Sequence, residues 1–462
     1  MSPNLEFKFD YYAILPHVTE LRVLMLSGEN GWALPQFTLS ERHFWQEVHQ
    51  VNRAMKDRFG IQVTTLRCVG VDYDRQAGRV TKVYAMENHD PDWVPPSRER
   101  WVDRDELDDL VFAMPEQQQI LEEWFVCMAD VDASPLRVPW FKQSWFNTAT
   151  RWITAQLNHQ GIELTGPIEQ LRSWQRSSLL RAKTNAGDFY FKAVPKMFAH
   201  EPALTQALAE KYPENFPEVV AVDAQRHFML MKSVDGQTWD DVTEIKLWEN
   251  ALSTYAQIQI DLTEQTENLL KLGCPDRRLD TSVDQIDPLL ADTAAMLPEQ
   301  PGGLSESEIA QLRALAPPLK SMFAELANYS IPQTLEHGDL WPGQIVFRRE
   351  KPVFIDWSDS SISHPFFSLN FLSDPIEMQP FLTRAPNVRE RLSDAYLEPW
   401  TSFAPMEKLK RIFKLADLLA PLHYATLYHM HILPNMEIQW EMEKMIPFYL
   451  KKLLRSFSSN DI

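Results

Sequence analysis

The chain has 462 residues, 44% hydrophobic and 24% charged, so it can build large cores and is not a disordered polymer; its length predicts about three domains. A net charge of −19 and a pI near 5.1 exclude a bulk electrostatic grip on nucleic acid or on an anionic membrane, and tilt the choice of small-molecule partner slightly toward cations. Three scattered cysteines, Cys68, Cys127 and Cys274, give neither a disulfide framework nor a zinc cluster.

The opening "MSPNLEFKFDYY" has no basic segment followed by an apolar run, so no secretory signal is expected. No stretch reaches the roughly 18 to 20 apolar residues of a membrane span. A cytoplasmic location is expected.

In chain order, "YYAILPH", "LRVLMLS", "VTTLRCVGV" and "RVTKVYAME" read as strands bounded by polar or Gly-bearing stretches. Between them, Phe44, Val48, Val51 and Met55 recur at helical spacing. Ser40 is the expected N-cap and Gly60 the stop. "WVDRDELDDLVF" closes this block. Residues 128–165 are mixed and end in a helix over "FNTATRWITAQLNHQGI". A second α/β stretch follows. "LLRAKT" and "DFYFKAVP" form a hairpin across "NAG", a helix starts near Glu201, and "EVVAVDAQRHFMLMKSV" supplies two strands. Beyond about residue 237 the pattern is mostly helical. The expected domains are 1–127, a helical linker 128–165, a strand-rich lobe 166–235 and a helical lobe 236–462.

One interruption of the helical region carries chemistry. "EHGDLWPGQIVF", residues 336–347, is followed by "FIDWSD". Asp339 sits just after a turn, where its carboxylate can take a proton from a hydroxyl. Gln344 follows across a tight loop shaped by Pro342 and Gly343, and its amide oxygen can coordinate a hard cation. "IVF" and "VFIDW" read as a short hairpin whose exit delivers a second carboxylate, Asp356. Two carboxylates and an amide form a magnesium-type donor set. Taken singly, Asp339 could be a turn residue, and His337 is read as structural. Asp359 and Asp374 are read as solvated or structural. Trp341 could line the cleft or only pack.

This order resembles the aminoglycoside phosphotransferase and choline kinase branch of the protein-kinase-like superfamily, over about residues 168–448. Members read His-Gly-Asp-x-x-x-x-Asn and then Ile-Asp-Trp or Ile-Asp-Phe; here Gln344 stands where Asn is usual. The resemblance implies a bilobed kinase-like fold and an ATP- and Mg2+-dependent transfer to a hydroxyl or amine of a small molecule. Asp339 would be the catalytic base, with Gln344 and Asp356 on the metal. Lys192, in "FYFKAVP", would hold the α- and β-phosphates. Its partner would be Glu201, with Glu210 as the competing choice. Met229 and Met231, in the hinge Met229 to Lys232, would hold adenine through backbone groups. The stretches "PIEMQPF" and "WENALSTYAQIQ" are candidate linings of the acceptor site. The acceptor and the oligomeric state stay open. A nucleotide-binding pseudokinase, acting as sensor or scaffold, is the alternative reading.

The first block resembles a Nudix domain of α/β/α type with a degenerate metal helix. Aligned on Gly60 and Arg53, Leu39 replaces the box glycine and Trp45 the first glutamate. Ala54 and Arg58 replace two more, and Asp57 alone keeps a carboxylate. The resemblance implies a Nudix-like fold without diphosphate hydrolysis, since the remaining cluster cannot hold divalent metals. A hydrolase with unusual ligands is the third reading.

Overall fold

The structure is a computed structural model that describes residues 8–39, 44–74, 78–96, 99–129, 134–239, 241–373, 378 and 386–459. The chain divides into two compact units, Met1–Ala193 and Val194–Ile462.

The first unit opens with two sheets. β1 (Lys8–Ile14), β2 (Val23–Gly28), β3 (Gly31–Ala33) and β4 (Gln36–Phe37) precede the helix α1 (His49–Phe59). β5 (Val63–Asp74), β6 (Arg79–Asn88) and β7 (Glu99–Val102) follow it. One sheet runs β4-β1-β6-β5 and is mixed, because β1 lies parallel to β6 and the other pairs are antiparallel. The other runs β3-β2-β7. The four expected strands are therefore present. Helix α1 ends at Gly60 as its sequence predicts: Gly60 is left-handed at φ 66° and its N–H bonds to the Lys56 carbonyl, the geometry glycine tolerates best.

The start of α1 differs from the expectation. Ser40 lies outside the described residues, and the helix begins only at His49. Phe44, counted in the helical period, is 70% exposed, whereas Val48, Val51 and Met55 are buried. The apolar spacing was real for three of the four positions. A further helix, α2 (Glu116–Ala129), had no sequence expectation; its polar opening "EQQQ" hides its apolar face.

The unit then continues through α3 (Trp145–His159), β8 (Glu169–Trp174), β9 (Ser177–Thr184) and β10 (Gly187–Ala193), the last three an antiparallel meander. β8 is fastened to the first sheet by one buried amide. Gln170 accepts from the Thr65 N–H and donates to the Thr65 carbonyl, both at 2.8 Å. Asn52 on α1 donates to the same Gln170 oxygen at 3.0 Å. Backbone bonds from Val48 to Leu171 and from Ser173 to Gln46 run alongside.

In the second unit, α4 (Glu201–Lys211) leads into the hairpin β11 (Val219–Asp223) and β12 (Phe228–Lys232). The helical part comprises α5 (Ile245–Asp261), α6 (Thr266–Lys271), α7 (Leu279–Val283), α8 (Ile286–Ala291), α9 (Glu306–Ala327), α10 (Val388–Leu397), α11 (Met406–Leu427) and α12 (Met445–Ser459). Ser305 caps α9 in a reciprocal box with Glu308, a sequence-encoded start. Inserted between α9 and α10 are β13 (Thr334–Glu336), β14 (Ile345–Arg348), β15 (Lys351–Phe354) and β16 (Ser361–Ser363). These short strands rest on an aromatic core. Tyr255 of α5 packs on Phe354 (centroids 5.4 Å apart), Phe216 on Trp357 (5.4 Å) and Phe366 on Trp400 (5.5 Å). Such rings bury large apolar areas and hold the inserted strands rigidly. Among the described residues, no helix is long and apolar enough to cross a membrane.

Candidate active site

The His-Gly-Asp loop leaves β13, which pairs antiparallel with β16. Gly338 takes φ +81°, and a Cβ there would meet the Asp359 carbonyl oxygen at 2.0 Å. Only glycine fits so close a backbone approach. His337 is fully buried and donates from Nε2 to the Ile355 carbonyl at 3.0 Å. That leaves Nδ1 unprotonated, facing the Asp339 N–H at 3.4 Å. Burial holds the His337 imidazole below its ordinary pKa. It is a neutral brace that ties the loop to the exit of β15, in keeping with its structural reading.

Asp339 is exposed beyond this brace, while its neighbours His337, Gly338 and Leu340 are buried. The turn Pro342–Gln344 brings Gln344 back to it, and the Gln344 amide nitrogen donates to Asp339 Oδ2 at 3.3 Å. The Trp341 indole folds over its own loop: a Cβ on Gly343 would lie 2.2 Å from it. It also meets Trp239 edge-on at 6.2 Å. Trp341 is thus half-buried, packing on one face.

The hairpin β14–β15 turns at Arg349 and Glu350, both at positive φ, the backbone twist that suits a two-residue hairpin. The segment after β12 is clamped to it through reciprocal bonds between Gln237 and Phe347 at 2.9 Å. The chain then delivers Asp356 in the left-handed region, φ 64°, a conformation uncommon for a non-glycine residue and frequent at functional sites.

Two residues later stands Ser358, which no sequence argument singled out. Its hydroxyl lies 2.7 Å from Glu201 Oε2 and 3.1 Å from Asp356 Oδ1. It links the first turn of α4 to the Asp356 carboxylate. Glu201 is 1% exposed, whereas Glu210 is exposed and takes an amide from Gln206. Of the two candidates on this helix, only Glu201 meets the loop residues. Asp359 is buried as well, and Asp374 lies outside the described residues.

The second unit therefore brings Asp339 next to Gln344, and Asp356 next to Glu201 through Ser358. Lys192 sits near the end of β10 in the first unit, with its side chain buried. Met229 is buried in β12 opposite Val222, and Met231 is half-buried opposite Val219. "WENALSTYAQIQ" forms most of α5. "PIEMQPF" lies outside the described residues except for Met378.

The two residues expected on a metal, Asp356 and Gln344, would offer it only oxygen, from a carboxylate and an amide. Among the described residues no group of three or more His, Cys, Asp or Glu could hold a metal ion. Such a sparse set fits a magnesium ion that keeps water and phosphate oxygens as its other ligands. In the first unit, α1 lines a cavity of about 730 Å³ whose wall includes Arg53, Ala54, Asp57 and Arg58.

Compared with known proteins, residues 168–406 match the phosphotransferase enzyme family, APH. No curated protein matches the chain. Solved structures that it resembles include a choline/ethanolamine kinase family protein from Mesorhizobium loti (16% identity, 68% of this chain and 95% of that one, TM-score 0.44). A macrolide 2'-phosphotransferase from Brachybacterium faecium is similar too (16% identity, 66% and 97%, TM-score 0.44). So is a choline kinase from Cryptosporidium parvum (12% identity, 67% and 96%, TM-score 0.46). The family match spans more than half of the residues and includes both the Lys192 strand and the Asp339 loop, and the chain belongs to the phosphotransferase enzyme family.

Proposed function

We propose that the protein transfers the γ-phosphoryl group of ATP, with Mg2+, to a hydroxyl group of a small molecule. The observation that carries this reading is the pairing of an exposed carboxylate, Asp339, with the Gln344 amide 3.3 Å away. Exposure lets Asp339 meet an acceptor. The amide holds its carboxylate in one orientation.

Asp339 orients the acceptor O–H and accepts its proton as the new P–O bond forms. The bond between the γ-phosphorus and the β–γ bridging oxygen breaks, and ADP leaves with that oxygen. Asp356 and the Gln344 amide oxygen would hold Mg2+, which neutralises charge on the phosphate oxygens when bound. Lys192 would contact the α- and β-phosphates and Glu201 would orient it. The hinge 229–232 would hold adenine. The rate gain comes mainly from positioning and charge neutralisation.

The acceptor is a hydroxyl compound or an amine. The Nudix-like reading of residues 1–127 is likewise a proposal, supported by the mixed sheet β4-β1-β6-β5 and the helix α1 against it.

The test is ADP release with a panel of hydroxyl and amine acceptors. Acceptor-dependent release that is lost in Asp339→Asn is the expected result. Release that survives Asp339→Asn would overturn the reading.

A further inference from the structure

Behind the Asp339 loop lies a set of buried polar side chains that the transfer chemistry does not use. Glu336, the last residue of β13, is fully buried. Its Oε1 accepts from the Gly338 N–H at 2.9 Å, from the Tyr424 hydroxyl at 3.0 Å and from the Ser368 hydroxyl at 3.3 Å. Ser368 in turn lies 2.9 Å from the Tyr255 hydroxyl. Gln259 donates to Tyr255 and to the Leu335 carbonyl, at 3.2 and 2.8 Å.

The countercharge is also buried. Arg277, 4% exposed, bonds to the Thr426 hydroxyl at 2.9 Å and meets His423 Nε2 at 3.2 Å. His423 Nε2 stands 3.9 Å from Glu336 Oε2. A neutral histidine thus sits between a buried acid and a buried guanidinium. Burial pushes Glu336 up and Arg277 down to about 10, and it pushes His423 well down.

A carboxylate is costly to bury, and one that is kept in a core is held there by the donors it satisfies. What the carboxylate does, and leucine cannot, is accept the Gly338 N–H one residue before Asp339. We propose that Glu336 is a positioning residue for Asp339: it fixes the turn that presents the Asp339 carboxylate, and through Tyr424 it anchors that turn to α11. The inference rests on Asp339 being the base, as proposed above. It goes further in making the catalytic geometry depend on a residue that touches neither nucleotide nor acceptor.

The experiment uses the full chain with Glu336→Leu, Glu336→Gln and Tyr424→Phe. MgATP turnover is measured beside ATP binding, and amide hydrogen exchange is followed over residues 337–344. A misplacement of about 1 Å at a reacting group can cost roughly a hundredfold in rate. Glu336→Leu should therefore lower kcat by about tenfold or more while ATP binding stays within about threefold. Glu336→Gln keeps an acceptor oxygen for Gly338 and should recover most of kcat. Exchange at Gly338 and Asp339 should quicken in the leucine variant and not in the glutamine variant.

A folded Glu336→Leu protein with wild-type kcat and wild-type exchange overturns the inference. So does equal impairment in the leucine and glutamine variants, which would mean lost charge or packing. If Glu336→Leu does not fold, Tyr424→Phe decides, since it keeps the ring and removes one anchor. A lower kcat with unchanged ATP binding supports the inference, and an unchanged kcat overturns it. If the wild type turns over no ATP, the proposed function fails, and the exchange measurement still decides the role of Glu336 in the turn.

Discussion

The amide nitrogen of Gln344 lies 3.3 Å from Oδ2 of Asp339, with Gln344 itself 8% exposed. A buried amide thus steadies an exposed carboxylate. Gln344→Asn withdraws the amide by one C–C bond, about 1.5 Å, from a contact that is already long. The expected outcome is a fall in kcat of about tenfold or more, measured by ADP release at saturating ATP. An undiminished kcat would mean that the loop can shift to follow the shorter arm.

Ser358 connects Glu201 to Asp356 with a single hydroxyl. Groups that orient a metal ligand typically change metal affinity by about 10- to 100-fold when removed. Ser358→Ala should raise the Mg2+ concentration needed for half-maximal ATP binding by about tenfold. Ser358→Thr, which restores the hydroxyl, should recover most of it. Calorimetric titration of Mg2+ at fixed ATP reads both.

His364 follows β16, is 1% exposed and packs against Phe366 and Phe367. Burial, with a smaller push from His423, drives it down to about 3 from its ordinary 6.5. The unfolded chain therefore binds a proton here that the folded chain refuses. The stability contribution is fully present above pH 6.5 and is lost as pH falls toward about 3. Glu336 is shifted upward and acts with the opposite sign: its contribution is greatest below its ordinary 4.5 and fades as pH rises. The comparison of variants isolates His364. His364→Leu should flatten the urea midpoint between pH 6.5 and pH 3 relative to wild type. A parallel pair of curves would contradict this assignment.

Gln170 satisfies both backbone groups of Thr65, a residue with 0% exposure. Gln170→Leu would leave a buried N–H and a buried carbonyl without that partner, at about 1–3 kcal/mol each. The expected loss is about 2–6 kcal/mol in the unit that holds Gln170, read from its urea unfolding transition. An unchanged transition would show that β8 does not depend on this amide.

The parts that were legible in the sequence are the family and the local structure around the proposed site, where residue type and order encode strands and turns. Asp339, Gln344 and Asp356 stand around a short hairpin whose apolar runs alternate and whose turn is polar. Lys192 lies near the end of an equally plain strand. Gly60 was legible as a helix stop, and it takes the left-handed φ that such a stop uses. Other parts were not legible because no local period marks them. Helix α1 starts at His49, since Phe44 shares the helical spacing yet faces solvent. Helix α2 hides behind four polar residues. Glu336 meets Tyr424 across 88 positions, and Arg277 meets His423 across 146. Long-range polar pairing leaves no periodic trace. One signal was available: the polar "HYAT" inside the apolar helix "LLAPLHYATLYH". Polar residues at positions that periodicity assigns to a core are usually paired there.

The central claim is that the Asp356 and Gln344 oxygens hold Mg2+ with ATP. Calorimetric titration of ATP with and without Mg2+, on wild type and on Asp356→Ala, tests it most directly and needs no knowledge of the acceptor. The account predicts binding that strengthens with Mg2+ in the wild type and loses that dependence in Asp356→Ala. Binding indifferent to both Mg2+ and Asp356, or no binding at all, would contradict it.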